Sequence, residues 1–279
     1  LLKVRESIIA REEERLLRSR GTASPSDRIK KCVYAHAIYT CSEKLIRGFK
    51  MLADKYDTYY QIHVSETQKE VDDCLAKFGC RPVELLHKWG IMGPKVLFAH
   101  GVHFNDHEIE LIKQTDTTIA HCPTSNFKLG SGQMDLQKYL NKGLKITLGT
   151  DGVSSNNSLS MVTEMKMAAL SAKDKAGSVL AGKVNDIWKI ATQNGFEAFG
   201  FNAGTIEEGK LADFILVDLN NQFLLPNNNL ISNMIYASDS SCITDVFCDG
   251  KAVMRNKVIP HEKEIIAEFK KVCKKLETH

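Results

Sequence analysis

Short runs rich in β-formers alternate with helical stretches through the first two-thirds of the chain, and this rhythm narrows the fold more than any other feature. The runs fall at 29–35, 58–64, 95–99, 117–120 and 145–148. Helical candidates separate them at 42–55, at 68–77 with 82–88, at 106–113 and at 134–141, and another follows at 159–172. Strands alternating with helices imply parallel βα units whose helices cover the sheet. Five such units fall short of the eight strands that close a (β/α)8 barrel.

After a helix at 184–194 the texture changes. A loop at 204–210 leads into strands expected at 212–219, 231–237 and 243–248, the last turning through Asp249-Gly250 into 251–254. A charged helix is expected at 262–276. The reading divides the chain into 1–203, an α/β portion, and 204–279, a small β region with a terminal helix. Ahead of the rhythm, 1–20 reads as an amphipathic helix with a solvated charged face and 21–27 as a turn or linker. The chain begins Leu1-Leu2 and not with Met, so a fragment is expected.

The ends of the expected strands carry chemistry. The run at 58–64 leads into Q-I-H-V-S-E-T (61–67), which sets His63 and Glu66 three apart where strand gives way to turn. Imidazole is a common zinc ligand, and a nearby carboxylate can move protons for a metal-activated water. The pair alone is weak, because His and Glu meet by chance in many turns. The later runs end in Phe98-Ala99-His100, Ile119-Ala120-His121 and Leu148-Gly149-Thr150-Asp151. A single strand-end His is more often a satisfied core residue, but four successive ends of this kind make coincidence a poor explanation. Asp151-Gly152, followed by Ser154-Ser155-Asn156-Asn157, reads equally as a capped turn and as a ligand. Functional groups of a parallel barrel gather at these C-terminal strand ends. His87, His103 and His107 read as surface or structural residues, and Trp89 and Trp188 as packing.

Composition excludes more than it selects. The formal net charge is +3 over 279 residues, with no Lys/Arg block interleaved with aromatics, which argues against nucleic acid. No apolar run reaches membrane-spanning length and no signal-peptide pattern opens the chain. The eight cysteines form no C-x-x-C pair and read as reduced thiols of a cytoplasmic protein.

Six stretches together resemble the amidohydrolase superfamily, in the branch of 5-methylthioadenosine/S-adenosylhomocysteine deaminases and related chlorohydrolases. They are A-H-A-I-Y-T-C-S (35–42), I-H-V-S-E-T (62–67), F-A-H-G-V-H-F (98–104), A-H-C-P-T-S-N-F-K-L-G-S-G (120–132), L-G-T-D-G-V-S-S-N-N (148–157) and G-T-I-E-E-G-K-L-A-D (204–213). The resemblance implies strands four to eight of a TIM barrel, followed by part of a β-sandwich. It implies His63 and Asp151 as metal ligands, Glu66 as proton shuttle and substrate contact, and His100 as the residue that orients water. Asp151 would also accept a proton. His36 would lie in an adenosine-contacting loop, His121 would shape the pocket, and Asn126 would hold the loop after His121. The implied reaction is metal-dependent deamination of an adenine-type ring, with zinc favoured over iron, nickel or manganese. The implied partner is a small-molecule substrate, with homo-oligomerisation left open.

Two departures stand out. The family's prolines are replaced by Ala35 and Ile38, and the His-x-His pair that completes the family's metal site does not occur in the sequence. The chain alone is therefore expected to hold metal poorly and to be inactive. A guanine or pterin deaminase, a chlorohydrolase, or a non-catalytic interaction module are the alternatives.

Overall fold

The computed structural model describes residues 30–277, and the helix and linker expected over 1–27 lie outside them. The chain divides after Phe201 into two compact units.

The first unit is built on a parallel sheet of five strands in sequence order: β1 (Cys32–Tyr34), β2 (Tyr59–Val64), β3 (Val96–His100), β4 (Thr118–His121) and β5 (Ile146–Leu148). Every neighbouring pair is parallel, and the register sets His63 beside Ala99 and Val64 beside His100. Every residue of β3 is buried, whereas β2 alternates, burying Tyr60, Ile62 and Val64 and leaving Tyr59, Gln61 and His63 half-buried. A strand covered on both faces reads as an unbroken apolar run, and V-L-F-A supplies it.

Helices return the chain between strands. Ser42 caps α1 (Glu43–Lys55), and Thr67 caps α2 (Gln68–Phe78), which Gly79 ends in the left-handed conformation. Next come α3 (Pro82–Lys88) and α4 (Asp106–Gln114), the latter started by an Asn105/Glu108 capping box. Ile46, Ile62, Phe98, Ile109, Ile119 and Ile146 are fully buried and form the core between sheet and helices.

Two short helices interrupt what sequence alone reads as loops: α5 (Pro123–Lys128), before α6 (Leu136–Asn141), and α7 (Val153–Asn156), directly after Asp151. Proline at the first position starts α5, since its missing N–H has no partner to lose there. The remainder of the unit is α8 (Met161–Ala176), α9 (Val184–Ala191) and α10 (Gln193–Ala198). The helix expected at 184–194 thus breaks at Thr192 into two.

The second unit holds an antiparallel sheet, β6 (Phe214–Val217), β7 (Ile243–Cys248) and β8 (Lys251–Met254), with Phe214 and Phe247 stacked at 4.5 Å across it. The strand expected at 231–237 is instead the helix α11 (Leu230–Tyr236). Asn229 caps it by accepting from the Ser232 N–H, and Ile231, Met234 and Ile235 fall at helical spacing. That spacing overrode the β-branched composition that suggested a strand. The terminal α12 (Glu262–Glu277) buries none of its residues. Among the described residues, no helix is long and apolar enough to cross a membrane. All eight cysteines are unbridged, with Cys74, Cys80, Cys122 and Cys242 buried.

Candidate active site

Successive strand ends bring His36, His63, Glu66 and His100 together, with His121 and Asp151 on the two strands beyond. The His63 ring lies 5.0 Å from His36 and stacks on His100 at 5.3 Å. His63 Nδ1 donates to the His36 carbonyl at 2.7 Å, and the His63 backbone N–H bonds to the same oxygen at 3.0 Å. A carbonyl only accepts, so Nδ1 carries the proton and Nε2 keeps its lone pair, as a metal-binding imidazole requires.

Three of these ends adopt left-handed backbone without glycine: Ser65 (φ 50°), His100 (φ 73°) and Asp151 (φ 60°). Such residues cost on the order of 1–3 kcal/mol each and gather at functional sites. Here they turn the chain sharply where each strand stops. The turn after β2 carries Glu66, whose side chain is 16% exposed and whose Oε2 lies 3.8 Å from His100 Nε2. That separation exceeds a hydrogen bond.

Glu70 holds this turn from below. Its two carboxylate oxygens accept the backbone N–H groups of Ser65 and Glu66, both at 2.9 Å. Burial raises the Glu70 carboxyl to about 7, against the lowering effect of those two N–H bonds.

Each reacting candidate has its own support. His100 is 2% exposed, and its Nδ1 lies 2.8 Å from Asn126 Oδ1. Asp151 accepts from Ser125 Oγ at 2.7 Å and from the Gly152 N–H at 2.6 Å. Burial acts to raise the Asp151 carboxyl. The Ser125 and Gly152 bonds, with the His100 and His63 imidazoles, outweigh it and hold the group below the usual carboxylate range. Ser131 Oγ donates to Glu66 Oε1 at 3.0 Å.

His36 is exposed at the rim, with Nδ1 2.7 Å from Thr40 Oγ1. Burial and the neighbouring His63 lower its pKa, opposed by Glu66. His121 is buried with neither ring nitrogen hydrogen-bonded, and burial, with His100 beside it, pushes it down to about 3. It stays neutral. Cys122 next to it is pushed up to about 12, first by burial, and stays a thiol. His103, which reads as surface or structural in the sequence, is half-buried, with Nε2 bonded to the Ser131 carbonyl at 2.7 Å.

Sequence reasoning passed over Ser125, Ser131 and Glu70. Small polar residues directly after a strand end were the available signal for the serines. Glu70 looks like any helical glutamate until the turn above it is seen.

The donors fit a divalent ion in kind: an imidazole with its Nε2 lone pair free, and a carboxylate held ionised. They do not fit in number, because among the described residues no three His, Cys, Asp or Glu side chains group closely enough to hold an ion.

Comparison with known proteins places these residues in a family. The model of the Amidohydrolase family matches residues 9–253. The chain is 43% identical over 250 residues to a 5-methylthioadenosine/S-adenosylhomocysteine deaminase of Thermococcus sibiricus, covering 90% of this chain and 59% of that protein. It is 40% identical over 230 residues to a 5'-deoxyadenosine deaminase of Methanosphaera stadtmanae, covering 82% of this chain and 54% of that protein. Among solved structures, a zinc-bound adenosine deaminase from Xanthomonas campestris superimposes with a TM-score of 0.90 at 29% identity, covering 95% of this chain and 62% of that one. The chain belongs to the Amidohydrolase family. It spans between half and two-thirds of the length of these relatives.

Proposed function

We propose that this chain carries the strand-end half of a metal-dependent aminohydrolase site that removes the amino group of an adenine-type nucleoside. The substrate class favoured is 5-methylthioadenosine, S-adenosylhomocysteine or a similar 5'-substituted adenosine. The observation that carries the reading is the convergence of His63, Glu66 and His100 at adjacent strand ends, with Glu66 and His100 facing each other at 3.8 Å. The names of the relatives support the substrate class.

His63 and Asp151 would hold a divalent ion, zinc in preference to iron, nickel or manganese. When bound, such an ion would supply Lewis-acid activation of a water. The chain's own residues do the rest. His100, with the lone pair on Nε2, orients the attacking water and takes its proton. Asp151, held ionised, is a second acceptor at the same place. Glu66, held by Ser131 and by the Glu70-clamped turn, donates its proton to the ring nitrogen, regains the water's first proton from His100 and passes it to the departing nitrogen. Asp151 takes the water's second proton and returns it to Glu66 after ammonia has left. A C–O bond forms, the C–N bond breaks, and ammonia leaves with the protons delivered. Buried His121 excludes water from one wall, and His36 with Thr40 lines the rim where a nucleoside sugar would lie. The scaffold is read as strands four to eight of a (β/α)8 barrel over 1–203 and part of a β-sandwich over 204–279, in a cytoplasmic protein.

The experiment is a substrate panel followed by ammonia release, run in a longer, full-length polypeptide that retains one zinc per chain. Higher kcat/KM for 5-methylthioadenosine than for guanine, adenine or a chlorinated triazine is expected. Preference for guanine or the triazine would overturn the substrate assignment.

A further inference from the structure

The three candidate reacting groups come from three different strand ends, yet one short stretch touches all of them. Ser125 Oγ donates to Asp151 Oδ2 at 2.7 Å, Asn126 Oδ1 meets His100 Nδ1 at 2.8 Å, and Ser131 Oγ donates to Glu66 Oε1 at 3.0 Å. These side chains belong to residues that are 0%, 1% and 4% exposed, so water does not readily replace a lost partner.

The stretch is itself fixed at both ends. The Thr124 N–H bonds to Oε2 of the fully buried Glu164 at 3.3 Å. At the other end the Ser131 N–H bonds to the Asn126 carbonyl at 2.8 Å, and the Ser131 carbonyl accepts from His103 Nε2 at 2.7 Å. Gly132 (φ 120°) lies so close to His103 that a Cβ there would sit 3.2 Å from the ring. The His103 carbonyl is in turn bonded to the Arg81 guanidinium, which pairs with fully buried Glu108 at 2.7 Å.

We propose that residues 123–132 are the positioning frame of the site, and that within it Asn126 sets the tautomer of His100. With Nδ1–H donating to the amide oxygen, the lone pair is left on Nε2, the nitrogen that faces Glu66. The opposite orientation of the amide would put Nδ2–H against Nδ1 and force the proton onto Nε2, leaving His100 unable to accept one there. Ser131 does the matching task for Glu66. It occupies Oε1 and leaves Oε2 turned to His100. This assignment rests on the reading of Glu66, His100 and Asp151 as the reacting groups, and its test separates the two.

The test uses the full chain with 15N-labelled histidine rings at alkaline pH, and reads the tautomer from two-bond 1H–15N correlations. The His100 signals are assigned by their loss in His100→Gln. His100 is expected as the Nδ1–H tautomer in the wild type. In Asn126→Ala the Nε2–H form favoured by free imidazole should gain, and Asn126→Asp, which keeps an acceptor oxygen, should restore Nδ1–H. An Nε2–H tautomer in the wild type, or Nδ1–H unchanged in Asn126→Ala, would overturn the proposal. If Asn126→Ala does not fold, the wild-type tautomer decides. Under conditions that support turnover, Ser131→Ala should lower kcat about tenfold to a hundredfold with little change in KM, and Ser131→Thr should recover it. Equal loss in both Ser131 variants would argue for mere packing and against the frame. Absence of turnover in every protein, wild type included, in a longer polypeptide that retains one zinc per chain would count against the deaminase reading, while the tautomer still decides the frame.

Discussion

Replacing Glu70 by Gln should change the pH dependence of stability more than stability itself. The carboxylate is 4% exposed and accepts the Ser65 and Glu66 N–H groups, both at 2.9 Å. Gln keeps one acceptor oxygen and turns an NH2 toward the other N–H, which loses its partner at a cost of about 1–3 kcal/mol. Against this stands the cost of ionising Glu70. Burial, aided by the charges of Glu66 and Glu108, raises its pKa from 4.5 to about 7 in spite of the two N–H bonds. A carboxyl raised on folding contributes stability that is fully present below its unfolded pKa and is lost as pH climbs through the folded value. A rise from 4.5 to about 7 corresponds to a loss on the order of 3 kcal/mol. The wild type should therefore lose that much through this group between about pH 4.5 and about pH 8. Glu70→Gln has no such group to ionise. Urea unfolding at about pH 5 should show the variant less stable by about 1–3 kcal/mol, and at about pH 8.5 the deficit should vanish or reverse. The same deficit at both pH values would refute the reasoning.

In a full-length version that retains zinc, Glu66→Gln should lower deamination by about two to four orders of magnitude with the zinc kept, measured by ammonia release beside metal analysis; near-normal turnover would remove Glu66 from the mechanism. Glu108 is fully buried and takes Arg81 Nε at 2.7 Å and the Val83 and Asn105 N–H groups at 3.1 and 3.0 Å. Glu108→Ala should cost about 3–5 kcal/mol in urea unfolding, and a loss below about 1 kcal/mol would show that the Arg81 charge finds water instead. Residues 1–279 expressed alone should hold well under one zinc per chain and release no ammonia steadily, since catalytic zinc takes at least about three protein ligands. Stoichiometric zinc with turnover would mean that His36, His100 or His121 completes the set.

The strands of the sheet were legible because alternation of β-rich and helical runs is a strong signal, and all five observed strands end within one residue of the expected C-terminal ends. The strand ends carried the candidate site as well: His100 and His121 are the last residues of β3 and β4. What stayed hidden was short or non-local. A six-residue helix such as α5 has too little periodicity to stand out, and the proline at its first position reads as a loop. α11 was mistaken for a strand because seven residues with two isoleucines suit either period. Ser131 and Glu66 are 65 positions apart, and nothing in local sequence announces that they meet. Glu70 stands only four residues from the N–H it accepts, but the bond exists because Ser65 turns left-handed, which no propensity of serine foretells.

Zinc-dependent release of ammonia from 5-methylthioadenosine tests the central claim most directly. The protein is assayed in the polypeptide context that retains one zinc per chain, before and after chelation and with His63→Ala in parallel. Release should be sustained, stop when zinc is removed, return when it is restored, and fall together with zinc content in His63→Ala. A zinc-loaded preparation that releases no ammonia, or turnover that survives loss of the metal, would contradict the assignment.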